Sequence, residues 1–116
     1  MRAVIQRVDR ASVRTNNHQI SSINKGILVF LGVAKDDDKS DADFILDKAV
    51  NLRIFEDDHG KMNLSLLNIN GEMMVVSQFT LLGDCNKGRR PSFFYAAEQK
   101  RANELYEYFV QTGKSK

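Results

Sequence analysis

The apolar run GILVFLGV at residues 26–33 constrains the fold more than any other segment of the chain. A strand with one face in water alternates apolar and polar side chains, whereas this run is apolar on both faces and rich in branched residues. Such a strand is expected in the interior of a sheet, covered on two sides. The run therefore predicts a central strand rather than an edge strand.

Shorter strands are predicted around this run. RAVIQRV at residues 2–8 indicates a first strand, and residues 12–15 and 19–23 flank the segment NNH. Because Asn tolerates positive φ, these two flanking segments predict a β-hairpin. LRIFE at residues 52–56 predicts another short strand, followed by a turn at DDHG.

The segment from residue 63 to residue 82 predicts two strands joined at Asn70 and Gly71, since Asn-Gly is a strong hairpin signal. The second of these strands contains polar side chains at Ser77, Gln78 and Thr80. In a strand, Gln78 and Thr80 would project from the same face, about 6 to 7 Å apart.

Two segments have helical spacing. Ser40 followed by Asp43 matches a capping box and predicts the start of the first helix. The buried face of this helix is predicted to consist of Ala42, Ile45, Ala49 and Leu52. The buried face of a second helix is predicted to consist of Ala102, Leu105, Tyr106 and Phe109. Gly113 is expected to end that helix. Strands and helices together predict a mixed α/β fold.

Length and composition limit the class of protein. A chain of 116 residues predicts one domain, residues 1–116, and a net charge of +2 is too small to indicate nucleic-acid binding by itself. With Cys85 as the single cysteine, neither an intrachain disulfide nor a cysteine-based zinc cluster can form. No run approaches the roughly 18 apolar residues of a membrane span, and MRAVIQRV does not resemble a signal peptide. A cytoplasmic protein is expected.

A basic loop follows the polar strand. Gly83, Asp84, Gly88 and Pro91 are turn formers, and Lys87, Arg89 and Arg90 carry charges suited to phosphates. Free N–H groups at the end of the strand are suited to an oxyanion. Thr80 is equally an ordinary strand residue, and no His, Asp or Glu lies within the strand to act as its base. These residues predict an enzyme site or an RNA-binding site, without deciding between them.

Five segments in the same order resemble the D-aminoacyl-tRNA deacylases, the family also called D-Tyr-tRNA deacylase. They are MRAVIQRV, GILVFLGVAKDD, NLRIFEDDHGKMNLSL, SQFTL and GDCNKGRRPSF. The resemblance implies an enzyme of translation quality control that hydrolyses the ester of D-aminoacyl-tRNA and of mischarged glycyl-tRNA. It also implies a three-layer β/β/α sandwich with mixed, barrel-like sheets, a cytoplasmic homodimer, tRNA as the partner, and no cofactor, metal, DNA or membrane.

By the resemblance, the catalytic residues are Ser77, Gln78, Phe79 and Thr80. The main-chain N–H groups near Phe79 and Thr80 are the implied oxyanion donors. The nucleophile stays open between Thr80 and a water assisted by the 2′-hydroxyl of the terminal ribose, and the water is preferred because Thr80 has no neighbouring base.

Further substrate-binding residues are implied at Arg7, Met62, Lys87, Arg89 and Arg90. For Arg7 the alternatives are a contact with the chirality-selecting loop and an ordinary surface ion pair. For Met62 they are the wall of an adenosine pocket and packing in the core.

The chain departs from the family at two places. Its single proline, Pro91, follows Arg90, so the Gly-Pro dipeptide with which the family excludes L-amino acids is absent from this sequence. Either the sequence is C-terminally incomplete, which is preferred, or it is a shortened homologue that binds tRNA without turnover or serves only in assembly. Phe94 and Tyr95 stand where the family has small polar residues, and packing against a helix is preferred to stacking on a base.

Four other features are interpreted without a catalytic role. His18 and His59 are expected on surface turns, and Cys85 is expected to be unreactive. The acidic run at residues 36–38 is explained by the dipole of the helix that follows it rather than by a cation.

Overall fold

The computed structural model describes residues 1–16 and 18–116. Seven strands are present in it: β1 Arg2–Val8, β2 Ala11–Thr15, β3 His18–Ile23, β4 Gly26–Gly32, β5 Phe55–Glu56, β6 Met62–Leu64 and β7 Glu72–Ser77. Two α-helices, α1 Lys39–Asn51 and α2 Gln99–Lys114, and the 3-10 helix Phe79–Leu82 complete the described chain. The mixed α/β prediction with two main helices is confirmed.

The strand β4 lies in the middle of a three-stranded sheet of order β1-β4-β7. It pairs antiparallel with β1 and parallel with β7. Ile27, Val29 and Leu31 on one face are buried in the core with residues of both helices, whereas Leu28 and Phe30 on the other face are only half-buried. The predicted central position is confirmed, and cover on both faces is wrong for the described residues.

The strand β7 does not form the hairpin predicted at Asn70 and Gly71. Asn70 does adopt positive φ, 52°, but residues 66–70 form consecutive turns in which Leu66 is buried. The Glu72 N–H then donates to the Lys25 carbonyl at 3.0 Å, which starts the parallel pairing with β4. The prediction is wrong because burial of Leu66 and pairing with a distant strand outweigh the local turn signal.

The two remaining pairs of strands are short hairpins. The strands β2 and β3 pair antiparallel as predicted, with Asn17 of the predicted turn outside the described residues. His18 begins β3 instead of lying in the turn. The strands β5 and β6 also pair antiparallel, so the strand predicted at residues 52–56 is confirmed in shortened form.

The first helix begins earlier than its predicted cap. Asp38 is the N-cap, and its carboxylate accepts from the backbone of Ser40 and Asp41 while the Asp41 carboxylate accepts from the Asp38 N–H. The box predicted on Ser40 and Asp43 is therefore wrong by two residues. The buried face of the helix also differs from the prediction. It consists of Ala42, Leu46, Ala49 and Val50, whereas Leu52 is exposed and Ile45 is half-buried.

The second helix continues past Gly113 to Lys114. Leu105 and Phe109 are buried and Ala102 and Tyr106 half-buried, which confirms the predicted face. A Cβ atom at Gly113 would lie 3.1 Å from Cε of Met73 in β7. This glycine therefore permits close packing of the helix on the sheet rather than ending the helix.

The sheets have three, two and two strands, and none is closed in the described residues, so the barrel-like arrangement is absent from them. Within the described residues, no helix has the length and apolar character needed to cross a membrane.

Candidate active site

The strand β7 ends at Ser77, and a 3-10 helix replaces the rest of the predicted strand. The Gln78 N–H makes the last bond to the sheet, to the Leu31 carbonyl at 2.8 Å. The chain then turns, with the Leu81 N–H donating to the Gln78 carbonyl at 3.3 Å and the Gly83 N–H donating to the Thr80 carbonyl at 3.0 Å. The prediction of a strand through Thr80 is wrong because β4 ends at Gly32 and offers no further partners.

Gly32 allows the 3-10 helix to approach the sheet closely. A Cβ atom at this position would lie 2.6 Å from Cδ2 of Leu82 and 3.0 Å from the main-chain oxygen of Gln78. Leu82 is buried against this end of the sheet. The missing side chain at Gly32 thus sets the position of Gln78 and of the residues that follow it.

Gln78 and Thr80 do meet, although not as neighbours on a strand face. The side-chain amide of Gln78 donates to the Thr80 hydroxyl across the first turn of the 3-10 helix. In the described part of the chain no carboxylate or imidazole contacts the Thr80 hydroxyl. The structure therefore brings these two predicted residues together and supplies no base to activate Thr80.

The backbone N–H groups of Phe79 and Thr80 open the 3-10 helix. Among residues 1–16 and 18–116, no carbonyl or side chain accepts a hydrogen bond from either of them. The neighbouring Gln78, Leu81 and Gly83 N–H groups all have acceptors. Two adjacent donors therefore lie beside the exposed side chains of Phe79 and Thr80. An oxyanion bound at the end of the strand would require such donors.

Arg2 lies at the candidate active site and was not predicted from the sequence. Its Nη1 donates to the Leu81 carbonyl at 3.0 Å, so it joins the first strand to the 3-10 helix. Arg2 reaches the 3-10 helix because it lies opposite Gly32 in the antiparallel register of β1 and β4. That register is a tertiary feature, so the sequence alone gave no signal for Arg2.

The basic loop is closed at its base by two hydrogen bonds. The Asp84 N–H donates to the Ser92 carbonyl at 2.7 Å, and the Ser92 N–H donates to the Asp84 carbonyl at 2.8 Å. The tip of the loop exposes its cations, Lys87, Arg89 and Arg90, together with Cys85. The Phe79 and Phe93 rings meet edge to face with centroids 5.0 Å apart, which joins the loop to the candidate active site.

Arg7 and Met62 lie away from this group. Arg7 pairs with Ile27, four residues along β4 from Leu31, the partner of Ser77, which corresponds to about 13 Å along the strand. Arg7 Nη1 donates to the Ile54 carbonyl at 2.8 Å and makes no ion pair within the described residues. Met62 lies on β6 opposite Glu56 and is 59% exposed, so core packing is wrong for it.

An apolar groove of about 790 Å³ runs along the edge of β7 that pairs with no strand of the described chain. Met73, Val75, Tyr106 and Val110 line it, and it reaches Ser77 at one end. The Tyr106 hydroxyl donates to the Val75 carbonyl at 2.9 Å, and burial raises the pKa of this phenol. The groove does not include Phe79 or Thr80, and both are exposed, so the candidate active site is an open surface.

The acidic run at residues 36–38 has structural roles. The Asp37 carboxylate accepts from the Ala34 N–H at 2.7 Å and pairs with the amino group of Met1 at 2.6 Å. Asp38 caps α1. Among the described residues there is no group of three side chains suited to holding a metal ion.

Comparisons with known proteins identify the family. The model of the family described as "D-Tyr-tRNA(Tyr) deacylase" matches residues 4–116. A D-aminoacyl-tRNA deacylase of Syntrophus aciditrophicus (strain SB) is 64% identical over 110 residues, which cover 95% of this chain and 74% of the relative. Another from Clostridioides difficile (strain 630) is 59% identical over 116 residues, covering 100% of this chain and 78% of the relative.

Solved structures agree with the sequence relatives on the fold. A structure titled "c-Myc DNA Unwinding Element Binding Protein" matches with a TM-score of 0.94 and 39% identity, covering 99% of this chain and 77% of that one. A second, described as a probable eukaryotic D-amino acid tRNA deacylase, matches with a TM-score of 0.83 at 17% identity, covering 97% and 66%, and it supports the fold alone. With both kinds of match over nearly its whole length, the chain belongs to the D-Tyr-tRNA(Tyr) deacylase family.

Proposed function

We propose that this protein hydrolyses the ester bond of D-aminoacyl-tRNA, and of mischarged glycyl-tRNA, in translation quality control. Membership of the deacylase family supports the reaction class. The observation that carries the assignment to a site is the pair of N–H groups on Phe79 and Thr80, which have no acceptor among the described residues and lie next to the basic loop.

The two N–H groups suit the charge that develops during ester hydrolysis. Attack on the carbonyl carbon places negative charge on its oxygen, and one fixed donor lowers such a barrier by about 3 kcal/mol. Both donors lie on a 3-10 helix that two hydrogen bonds hold in place. The Gln78 N–H donates to the Leu31 carbonyl of the sheet, and Arg2 donates to the Leu81 carbonyl. The backbone is therefore positioned before the substrate arrives.

Water is the nucleophile in this proposal. Its oxygen bonds to the carbonyl carbon, the carbon–oxygen bond to the 3′-oxygen breaks, and a proton of the water passes to the ribose, with the neighbouring 2′-hydroxyl assisting. Thr80 keeps a positioning role because the Gln78 amide donates to its hydroxyl and no base contacts it in the described chain. Ser77 and Gln78 support the same backbone, as the last residue of β7 and the N-cap of the 3-10 helix.

The acceptor end of the tRNA lies, in this proposal, over Phe79 and the basic loop. Lys87, Arg89 and Arg90 extend into solvent at the tip of the loop, where they can meet phosphates. Arg7 and Met62 stay proposed substrate contacts, and Arg7 lies about 13 Å along β4 from the level of Ser77.

Four further properties are proposed: a single domain, a cytoplasmic location, a homodimer and a three-layer architecture. Residues 1–116 act as one domain of a cytoplasmic homodimer with a three-layer β/β/α architecture. The apolar groove along the open edge of β7 supports an added layer there. The chain spans about three quarters of the length of its curated relatives, and selection against L-amino acids is assigned to no residue of this sequence, which has no Gly-Pro dipeptide.

The test is hydrolysis of D-Tyr-tRNA under multiple-turnover conditions. We expect release of many equivalents of D-Tyr per protein, at the same rate with and without EDTA. L-Tyr-tRNA measured in parallel reports the discrimination that this sequence retains. Protection of the tRNA end at stoichiometric levels without turnover would contradict the proposal and indicate a binding protein.

A further inference from the structure

Phe94 and Tyr95 are two adjacent aromatic residues that the protein leaves in water. Their exposed fractions are 67% and 57%, so the expectation that they pack against a helix is wrong. The rings contact each other edge to face, with centroids 5.4 Å apart. Two large apolar side chains exposed side by side are unusual for a monomeric surface and indicate a contact site.

The backbone presents these two rings in a defined position. They occupy the middle of a turn at residues 93–96, closed by the Ala96 N–H donating to the Phe93 carbonyl at 3.0 Å. The Lys35 N–H donates to the Tyr95 carbonyl at 3.0 Å, and the Ala97 N–H donates to the Val33 carbonyl at 2.9 Å. Because the turn is anchored to the end of the central strand, a ligand would not have to order the backbone on binding.

A lysine contacts one of the two rings, and the basic loop is adjacent in sequence. Lys35 Nζ lies 3.6 Å from the centroid of the Phe94 ring. The basic loop closes at Ser92, two residues before Phe94, and Phe93 contacts Phe79 of the candidate active site. An aromatic surface flanked by cations matches a ligand that has flat apolar faces and negative charge.

We propose that Phe94 and Tyr95, with Lys35, form a stacking platform for unpaired bases of RNA. In this inference, which rests on the proposed function, the bases belong to the single-stranded 3′ end of the tRNA that leads into the site. Aromatic side chains stack on any base because every base has a π-face, and an adjacent ammonium can meet the backbone phosphate. A purely apolar protein partner would have no use for the four cations, Lys35, Lys87, Arg89 and Arg90.

The test compares two uncharged tRNAs, one intact and one whose unpaired 3′ nucleotides have been removed. The double variant Phe94→Ala/Tyr95→Ala should bind the intact tRNA about 5-fold to 150-fold more weakly, which is the loss expected for one stacked base. Its affinity for the shortened tRNA should equal that of the wild type. Because both side chains are exposed, the thermal midpoint should not change.

Phe44→Ala is the matched control. Phe44 is 63% exposed on α1 and has Lys48 Nζ 5.8 Å from its ring centroid, so it is also an exposed aromatic residue beside a lysine. We expect Phe44→Ala to bind both tRNAs like the wild type. The aromatic exchange Phe94→Tyr/Tyr95→Phe should keep the affinity for the intact tRNA.

The outcomes separate this inference from the proposed function. Equal binding of the intact tRNA by the double variant and the wild type would overturn the platform, as would an equal loss for both tRNAs. Turnover of D-Tyr-tRNA by the wild type would leave the proposed function standing in either case. A third outcome has two parts: the wild type does not hydrolyse D-Tyr-tRNA, and the variant Phe94→Ala/Tyr95→Ala loses affinity for the intact tRNA alone. This outcome would support the platform and contradict the hydrolase.

Discussion

Arg2 Nη1 donates a hydrogen bond to the main-chain oxygen of Leu81 at 3.0 Å, joining residues 79 positions apart in the sequence. Leu81 belongs to the 3-10 helix whose first two N–H groups, on Phe79 and Thr80, lack acceptors in the described chain. The bond therefore connects the edge strand β1 to the backbone proposed to hold the oxyanion.

Arg2→Ala is expected to lower kcat/KM for D-Tyr-tRNA by about tenfold, since a hydrogen bond from a charged donor contributes about 1.5 kcal/mol. Arg101→Ala is the matched control, because Arg101 Nη2 also donates to a main-chain carbonyl, that of Asp37 at 3.3 Å, and Arg101 is not part of the candidate active site. We expect Arg101→Ala to keep the wild-type rate. Equal losses in the two variants would show that the Arg2 contact has no special role.

Gly32→Ala is expected to displace the 3-10 helix, because its Cβ atom would lie 3.0 Å from the main-chain oxygen of Gln78. We expect kcat to fall by about tenfold to a hundredfold, and the free energy of unfolding by about 1–3 kcal/mol. Urea denaturation and single-turnover hydrolysis measure the two effects. At the control position, Gly113→Ala, the added atom meets the flexible end of Met73 at 3.1 Å and Cδ1 of Leu46 at an ordinary contact distance of 3.5 Å, so kcat should not change.

Thr80→Ala tests the choice of nucleophile. If water attacks, the variant retains hydrolysis to within about tenfold, whereas loss of a nucleophile lowers the rate by a thousandfold or more. Thr80→Val, which removes the hydroxyl but keeps the branched shape, should behave in the same way. A thousandfold loss in both variants, with an unchanged circular dichroism spectrum, would make Thr80 the nucleophile.

Neutralising the basic loop should change the dependence of tRNA binding on salt. With Lys87, Arg89 and Arg90 replaced by Gln, the slope of log K against log salt should become shallower by about 2, because each phosphate contact contributes about 0.7 to 0.9. A control with the same change in net charge replaces three exposed lysines elsewhere on the surface, Lys25, Lys48 and Lys61. An equal change of slope in the control would contradict a specific role for the loop.

The N-cap of α1 makes stability dependent on pH. Hydrogen bonds from the Ser40 side chain and the Asp41 backbone lower the pKa of Asp38. A carboxyl whose pKa is lower in the folded state stabilises the fold above its unfolded pKa of about 3.9, and this stabilisation is lost as the pH falls through the folded value.

Asp38→Ala should therefore have a lower urea midpoint than the wild type at pH 7, and the difference should shrink below about pH 4. Asp36→Ala, which removes a neighbouring carboxylate that caps no helix, should have a smaller effect at pH 7. A difference between wild type and Asp38→Ala that stays constant down to pH 2 would exclude this origin of the stabilisation.

Several elements could be predicted from sequence because their determinants are local. The strand β1, the β2–β3 hairpin and the apolar strand β4 follow from side-chain pattern and turn residues within each segment. The second helix follows from its apolar spacing, and only its end was wrong, since Gly113 permits contact with Met73.

The sequence predicted which residues of the candidate active site lie together, but not the backbone conformation that brings them together. Gln78 and Thr80 are in contact, yet through a 3-10 turn, because β4 ends at Gly32 and leaves no partner to continue the strand. Arg2 was overlooked because a sequence does not reveal which end of β1 lies beside Leu81.

The sequence by itself determined the positions of the main strands and helices, the charge of the loop at residues 84–92, and the family. Only the tertiary structure decided that β7 runs parallel to β4 and that the Phe79 and Thr80 amides find no acceptor in residues 1–16 and 18–116. It also decided that Phe94 and Tyr95 face solvent. The physical reason is that strand partners and burial depend on contacts between residues far apart in the chain, where the free energy of burying a side chain such as Leu66 outweighs a local turn preference.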